Sequence, residues 1–154
     1  MITIYGFGYV GKAVWQFLKD HYTLQIFDPA VKKPKVINDE RKIKHTKYAI
    51  ICVPTPSLPN GECDVSIVEK IIFDGGHDFY LIKSTVPPGT TERISKLTDK
   101  KVAFSPEYIG EGKYEVQYWK DFPHPTDMKK HSFHIFGGPK SVTGEWVNLW
   151  QKVA

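Results

Sequence analysis

The run Ile2–Thr3–Ile4–Tyr5–Gly6–Phe7–Gly8–Tyr9–Val10–Gly11–Lys12–Ala13–Val14 joins a short apolar strand to a helix through a G-x-G-x-x-G turn. The three glycines of such a turn have separate tasks. Gly6 permits the tight turn, Gly8 lets the backbone come close to a pyrophosphate, and Gly11 lets the helix pack on the strand. Beyond the turn, Val10, Ala13, Val14, Phe17 and Leu18 recur at helical spacing, the buried stripe of a surface helix. A helix that opens there offers its free N–H groups and positive dipole end to phosphate oxygens.

Three glycines in six residues form a weak signal alone, and the flanks strengthen it. A second strand, Thr23–Phe27, ends in Asp28, roughly 20 residues beyond the glycines. A carboxylate at that place accepts hydrogen bonds from a ribose diol and repels a 2′-phosphate, which favours NAD over NADP. The plainer alternative is a surface aspartate that opens the Asp28–Pro29 turn. Gly6, Phe7, Gly8, Tyr9, Val10, Gly11 and Asp28 are therefore the first candidates for cofactor contact.

At 154 residues, with 41% hydrophobic and 25% charged, the chain has the size and balance of one globular domain, residues 1–154. No apolar run approaches the ~20 residues of a membrane span, and the first apolar residues belong to the opening strand. A cytoplasmic protein is expected. Cys52 and Cys63 supply neither a disulfide framework nor metal-ligand spacing. The net charge of +4 is modest, and the basic groups Lys32–Lys35 and Arg41–Lys44 read as solvated loops rather than a nucleic-acid surface.

The remaining elements alternate. Residues 29–47 are polar and Lys-rich and offer at most a short helix. Tyr48–Val53 is a continuous apolar strand that stops at Pro54–Thr55–Pro56. Asp64 caps a helix from Val65 to about Phe73, ended by Gly75–Gly76. Phe79–Lys83 is a strand, Thr90 or Thr91 caps a helix through Leu97, and Lys101–Phe104 is a strand. Lys113 to Lys130 reads as a loop with a helical turn near Val116–Trp119. Ser132–Phe136 is the last expected strand, and Ser141 caps a closing helix with Val142, Trp146, Val147, Leu149, Trp150 and Val153 inward. Six strands alternating with helices give a doubly wound, Rossmann-type α/β fold with a mostly parallel six-stranded sheet and helices on both faces.

Three loops that leave strand ends carry more. Val53–Pro54–Thr55–Pro56, Lys83–Ser84–Thr85–Val86–Pro87–Pro88–Gly89–Thr90–Thr91 and Phe104–Ser105–Pro106–Glu107–Tyr108–Ile109–Gly110–Glu111–Gly112 follow the glycine turn in that order. With Ile135–Phe136–Gly137–Gly138 before the last helix, they resemble the NAD-binding domain of the UDP-glucose/GDP-mannose dehydrogenase family, over nearly the whole chain. The resemblance implies oxidation of a nucleotide-sugar primary alcohol to a carboxylate with two NAD⁺. It implies that Val53, Pro54, Thr55, Ser84 and Thr85 join the cofactor site, with Thr55 and Thr85 at the nicotinamide end. It also implies that Thr85 and Glu111 position the attacking water, Glu107 ranking below Glu111. A hydroxyl and a carboxylate beside one water can orient it and take its proton. The bland alternative is that Thr85 opens a turn and Glu111 sits on a loop.

There are departures. Gly110 stands where the family usually has a larger residue. The family's catalytic cysteine, its central helix and its nucleotide-sugar domain lie beyond the segment these 154 residues resemble, so a truncated, incomplete enzyme is expected. Neither cysteine here fits the vacancy: Cys52 falls in a core strand, and Cys63 is flanked by Glu62 and Asp64, which raise a thiol pKa. His131 and His134 are expected on opposite faces of a strand, and with His124 they give no metal site. The implied partners are NAD and, with a complementary catalytic chain, a nucleotide-sugar. The alternatives are a non-catalytic NAD(H)-binding module or sensor, and a small self-sufficient oxidoreductase.

Overall fold

β1 (Ile2–Tyr5) is buried along its whole length, because helices cover both faces of the sheet it centres. The computed structural model describes residues 1–109 and 127–154. From β1 the chain passes through α1 (Tyr9–Leu18), β2 (Leu24–Phe27), β3 (Val36–Ile37) and β4 (Tyr48–Ile51). It continues through α2 (Ser66–Asp74), β5 (Phe79–Ile82), α3 (Thr90–Thr98), β6 (Lys101–Phe104) and α4 (Lys140–Gln151). The strands form one sheet in the order β3-β2-β1-β4-β5-β6, and every neighbouring pair is parallel.

Alternation divides the core. Ile2 and Ile4 of β1, Ile50 of β4 and Leu81 of β5 face α1 and α4, meeting Val14, Phe17, Leu18, Val142 and Trp146. Tyr5, Ala49, Ile51, Tyr80 and Ile82 face the other way, onto Val68 and Ile72 of α2 and Ile94 of α3. Each fully covered Ile, Leu or Phe contributes roughly 1.5–3 kcal/mol of hydrophobic stabilisation. The order of strands reverses at β1 and β4, and a crevice opens there beyond their C-terminal ends.

The sixth strand is not the expected one. Ser132–Phe136 is not a strand; Phe133 and Ile135 are 59% and 47% exposed. Only Gly137 reaches β6, through an antiparallel bridge to Phe104. Phe136 and His134 instead pack their rings on Trp150 and Phe17, so side chains rather than backbone hold this run. The missing edge is supplied at the opposite side by β3, which pairs Val36 and Ile37 with Ile26 and Phe27. His131 and His134 accordingly lie with rings 5.8 Å apart rather than on opposite faces.

Between β3 and β4 the chain makes only a 3₁₀ turn, Glu40–Lys42. A buried polar network ties this trimmed crossover down. Gln25 donates to Thr3 Oγ1 and Lys44 O and accepts from Lys44 N. Nδ1 of His77 lies 2.9 Å from Thr46 O, 3.0 Å from Thr46 Oγ1 and 3.3 Å from Thr46 N, and its Nε2 shares a hydrogen bond of 2.8 Å with Tyr5 Oη. Helix starts differ slightly from expectation. Asp64 does accept from Ser66 N, but Gly89 and Pro139, not Thr90 or Ser141, are the N-caps of α3 and α4.

Candidate functional site: a crevice at the strand ends

The turn after β1 is built on Gly6, at φ +90°, where a Cβ would meet Cys52 O at 2.5 Å. Gly11 packs against the same turn: a Cβ there would lie 2.0 Å from Gly6 O. Gly8 differs. It is exposed, it is the N-cap of α1, and a Cβ on it would meet nothing within 4 Å. The first-turn N–H groups of α1, which have no intrahelical partner, follow directly on Gly8.

Asp28 closes the turn from the side of β2. One carboxylate oxygen accepts from Phe7 N at 2.8 Å, and the other from Ala30 N and Val31 N at 2.8 and 3.1 Å. The aspartate therefore does open the turn at Pro29, and it also braces the glycine loop. Phe7 itself is buried with its ring edge-on to Trp15, and Gly11 is buried. The other sequence-predicted cofactor residues, Asp28 included, line a cavity of about 350 Å³ at the switch point.

The loops after β4 and β5 are stitched together. Thr55 Oγ1 donates to Thr85 O at 2.6 Å, and Ser84 Oγ donates to Val53 O at 2.6 Å. The Cys63 thiol donates to Thr85 O at 3.6 Å. Cys52 follows the end of β4, half-buried, and burial pushes its thiol up to about 12. Glu107 reaches the cavity while its carboxylate accepts from Ile109 N. Glu111, the expected water-positioning carboxylate, lies outside the described residues, as do Gly110 and His124. Among the described residues no three His, Cys, Asp or Glu side chains converge as metal ligands.

One residue escaped the sequence reading. Lys83 is 3% exposed and lines the cavity with Ser84 and Thr85. Its ammonium donates to Ser105 Oγ, Ser105 O and Pro106 O at 3.1, 3.4 and 3.5 Å. Burial holds its pKa below the usual lysine range, opposed by Cys52 and Glu107. The signal was present: a charge ending the apolar run Phe79–Ile82 must be buried with acceptors.

Residues 28–123 match the model of the UDP-glucose/GDP-mannose dehydrogenase family, NAD binding domain. This chain belongs to that family. A UDP-N-acetyl-D-mannosamine dehydrogenase from Methanococcus vannielii is 36% identical over 91 residues, 51% of this chain and 21% of that protein. A UDP-glucose 6-dehydrogenase from Streptococcus pneumoniae is 27% identical over 162 aligned residues, 82% of this chain and 41% of that one. The fold matches a UDP-glucose dehydrogenase from Pyrobaculum islandicum with a TM-score of 0.68 at 22% identity, covering 99% of this chain and 44% of that one. A GDP-mannose dehydrogenase from Pseudomonas aeruginosa superposes with a TM-score of 0.65 at 20% identity. The chain thus spans less than half the length of these relatives. It is an NAD-binding domain of the family, and among its described residues no helix is long and apolar enough to cross a membrane.

Proposed function

We propose that residues 1–154 act as a single domain that holds NAD across the C-terminal edge of its sheet, as the cofactor-binding part of a nucleotide-sugar dehydrogenase. In this reading the diphosphate lies on the N-terminus of α1 beside Gly8, and the adenosine ribose on Asp28. The nicotinamide end lies over β4 and β5, by Thr55, Ser84 and Thr85. The observation that carries it is the Phe7 N to Asp28 bond, which makes the phosphate turn and the ribose acceptor one unit. When bound, NAD⁺ would accept hydride from a sugar alcohol; Thr85, with Glu111, would orient the water consumed in the second oxidation.

The nucleophile of such an oxidation would come from outside these 154 residues. Cys52, with its thiol held up near 12, is poorly suited to form a thiolate. Reduced cysteines in a nucleotide-sugar enzyme fit a cytoplasmic setting.

Calorimetry with NAD⁺ and NADP⁺ tests the cofactor reading. NAD⁺ should bind more tightly, and Asp28→Asn should weaken NAD⁺ about tenfold while narrowing the gap to NADP⁺. No heat with either dinucleotide, or an unchanged ratio in the variant, would overturn it. Without a supplied catalytic cysteine, the domain should not reduce NAD⁺ in the presence of UDP-glucose.

A further inference from the structure

We propose that Lys83 is a buried positive charge that biases the nicotinamide end of the crevice toward the uncharged, reduced ring, so that NADH binds more tightly than NAD⁺. The inference rests on the cofactor reading above and adds a residue and a preference to it.

The placement follows from the sheet. A dinucleotide whose phosphates sit on the turn after β1 and whose ribose sits at the end of β2 must extend its other half across β4 and β5. Lys83 is the residue immediately after β5 and forms part of the cavity wall there, beside Thr85 and Thr55. Its three polar partners are Ser105 Oγ and two carbonyl oxygens, a set that matches the three donors of an ammonium. With all three donors turned toward the loop after β6, the side chain is not a direct ligand but a fixed charge beneath the site.

Oxidised nicotinamide carries a positive charge and reduced nicotinamide none, so a cation under the ring penalises only the oxidised form. Four groups must be weighed against it. The Cys52 thiol is protonated across the neutral range and contributes no charge. His134 stays largely neutral, its pKa lowered by burial and by Lys83 itself. Ser105 is neutral. Glu107 opposes Lys83 from the cavity rim, but it is more exposed, and solvent screens an exposed charge more than a buried one.

The test is a set of dissociation constants for NAD⁺, NADH and ADP-ribose with the wild-type chain, Lys83→Met and Lys83→Arg. The wild type should favour NADH by about fivefold or more, a ratio that Lys83→Met brings toward one and Lys83→Arg retains. ADP-ribose, which lacks the nicotinamide, should bind wild type and Lys83→Met alike. A lysine that only pins the loop after β6 would not move the ratio. Equal affinities for NAD⁺ and NADH in the wild type, or an unchanged ratio in a folded Lys83→Met, would overturn the inference while leaving the cofactor site standing. If Lys83→Met fails to fold, Lys83→Gln serves as the second neutral variant, and its ratio should fall toward one in the same way. Failure of all three ligands to bind would overturn the cofactor reading and this inference with it.

Discussion

Gly8 and Gly11 belong to one turn, yet an added methyl group meets opposite surroundings at the two positions. At Gly11 it would lie 2.0 Å from a backbone carbonyl that cannot swing away, so Gly11→Ala should lower unfolding free energy by about 1–3 kcal/mol. At Gly8 it meets open space with φ at −77°, and the cost should stay under about 1 kcal/mol, that of a poorer N-cap. Dinucleotide affinity should respond in Gly8→Ala even though the fold does not. Urea titration beside calorimetry checks both. A Gly8→Ala variant that binds NAD⁺ unchanged would mean the phosphates do not approach that backbone. Asp28 carries a similar lesson: it makes the turn-opening bonds of the plainer sequence alternative, and it adds a loop-bracing bond to Phe7 N that neither alternative contained.

Among the elements, the crossover from β3 to β4 departs most from a helix-covered sheet. Where packing would ordinarily come from a helix, Thr3, Gln25, Thr46, Tyr5 and His77 form hydrogen bonds. A cleft of about 1090 Å³ remains beside them, with Phe27, Ile43, Ile67 and Ile71 in its wall. This network is sensitive to acid. Burial holds the His77 pKa below the 6.5 of a free imidazole, so the native state resists protonation that the unfolded chain accepts. The stabilisation is fully present above pH 6.5 and is lost as pH falls from there toward the lowered native value. His134, shifted the same way, adds to the slope. His77→Gln should therefore flatten the dependence of the urea midpoint on pH between about 7.5 and 5.5. A slope identical to wild type would locate the acid sensitivity elsewhere.

For the whole molecule, closure of one face depends on α4, which is remote in sequence from the strands it covers. Trp146 is fully buried, with its ring against Tyr48 at the start of β4 and against Trp150. Trp146→Ala should cost about 3–5 kcal/mol, read from denaturant unfolding, because the cavity would sit between α4 and the sheet. A loss below about 1 kcal/mol would mean that α4 is not integral to the core.

The strands that carry the crevice, and the helices between them, were legible because their signals are local. A continuous apolar run marks a doubly covered strand, a 3.6-residue stripe marks a helix, and glycines at fixed spacing mark the phosphate turn. The edge strand was not legible. Two residues, Val36–Ile37, are too few to show a period, whereas Ser132–Phe136 alternates like a strand yet spends its side chains on Trp150 and Phe17. Pairing between strands is a long-range choice that local pattern does not encode. The same holds for the site. The amino-acid sequence supplied its loops and their order along the chain. Only the tertiary structure put Asp28 on Phe7 N, Thr55 on Thr85 and Lys83 against Ser105. Each of those contacts joins the ends of different strands, and parallel register alone decides which ends meet.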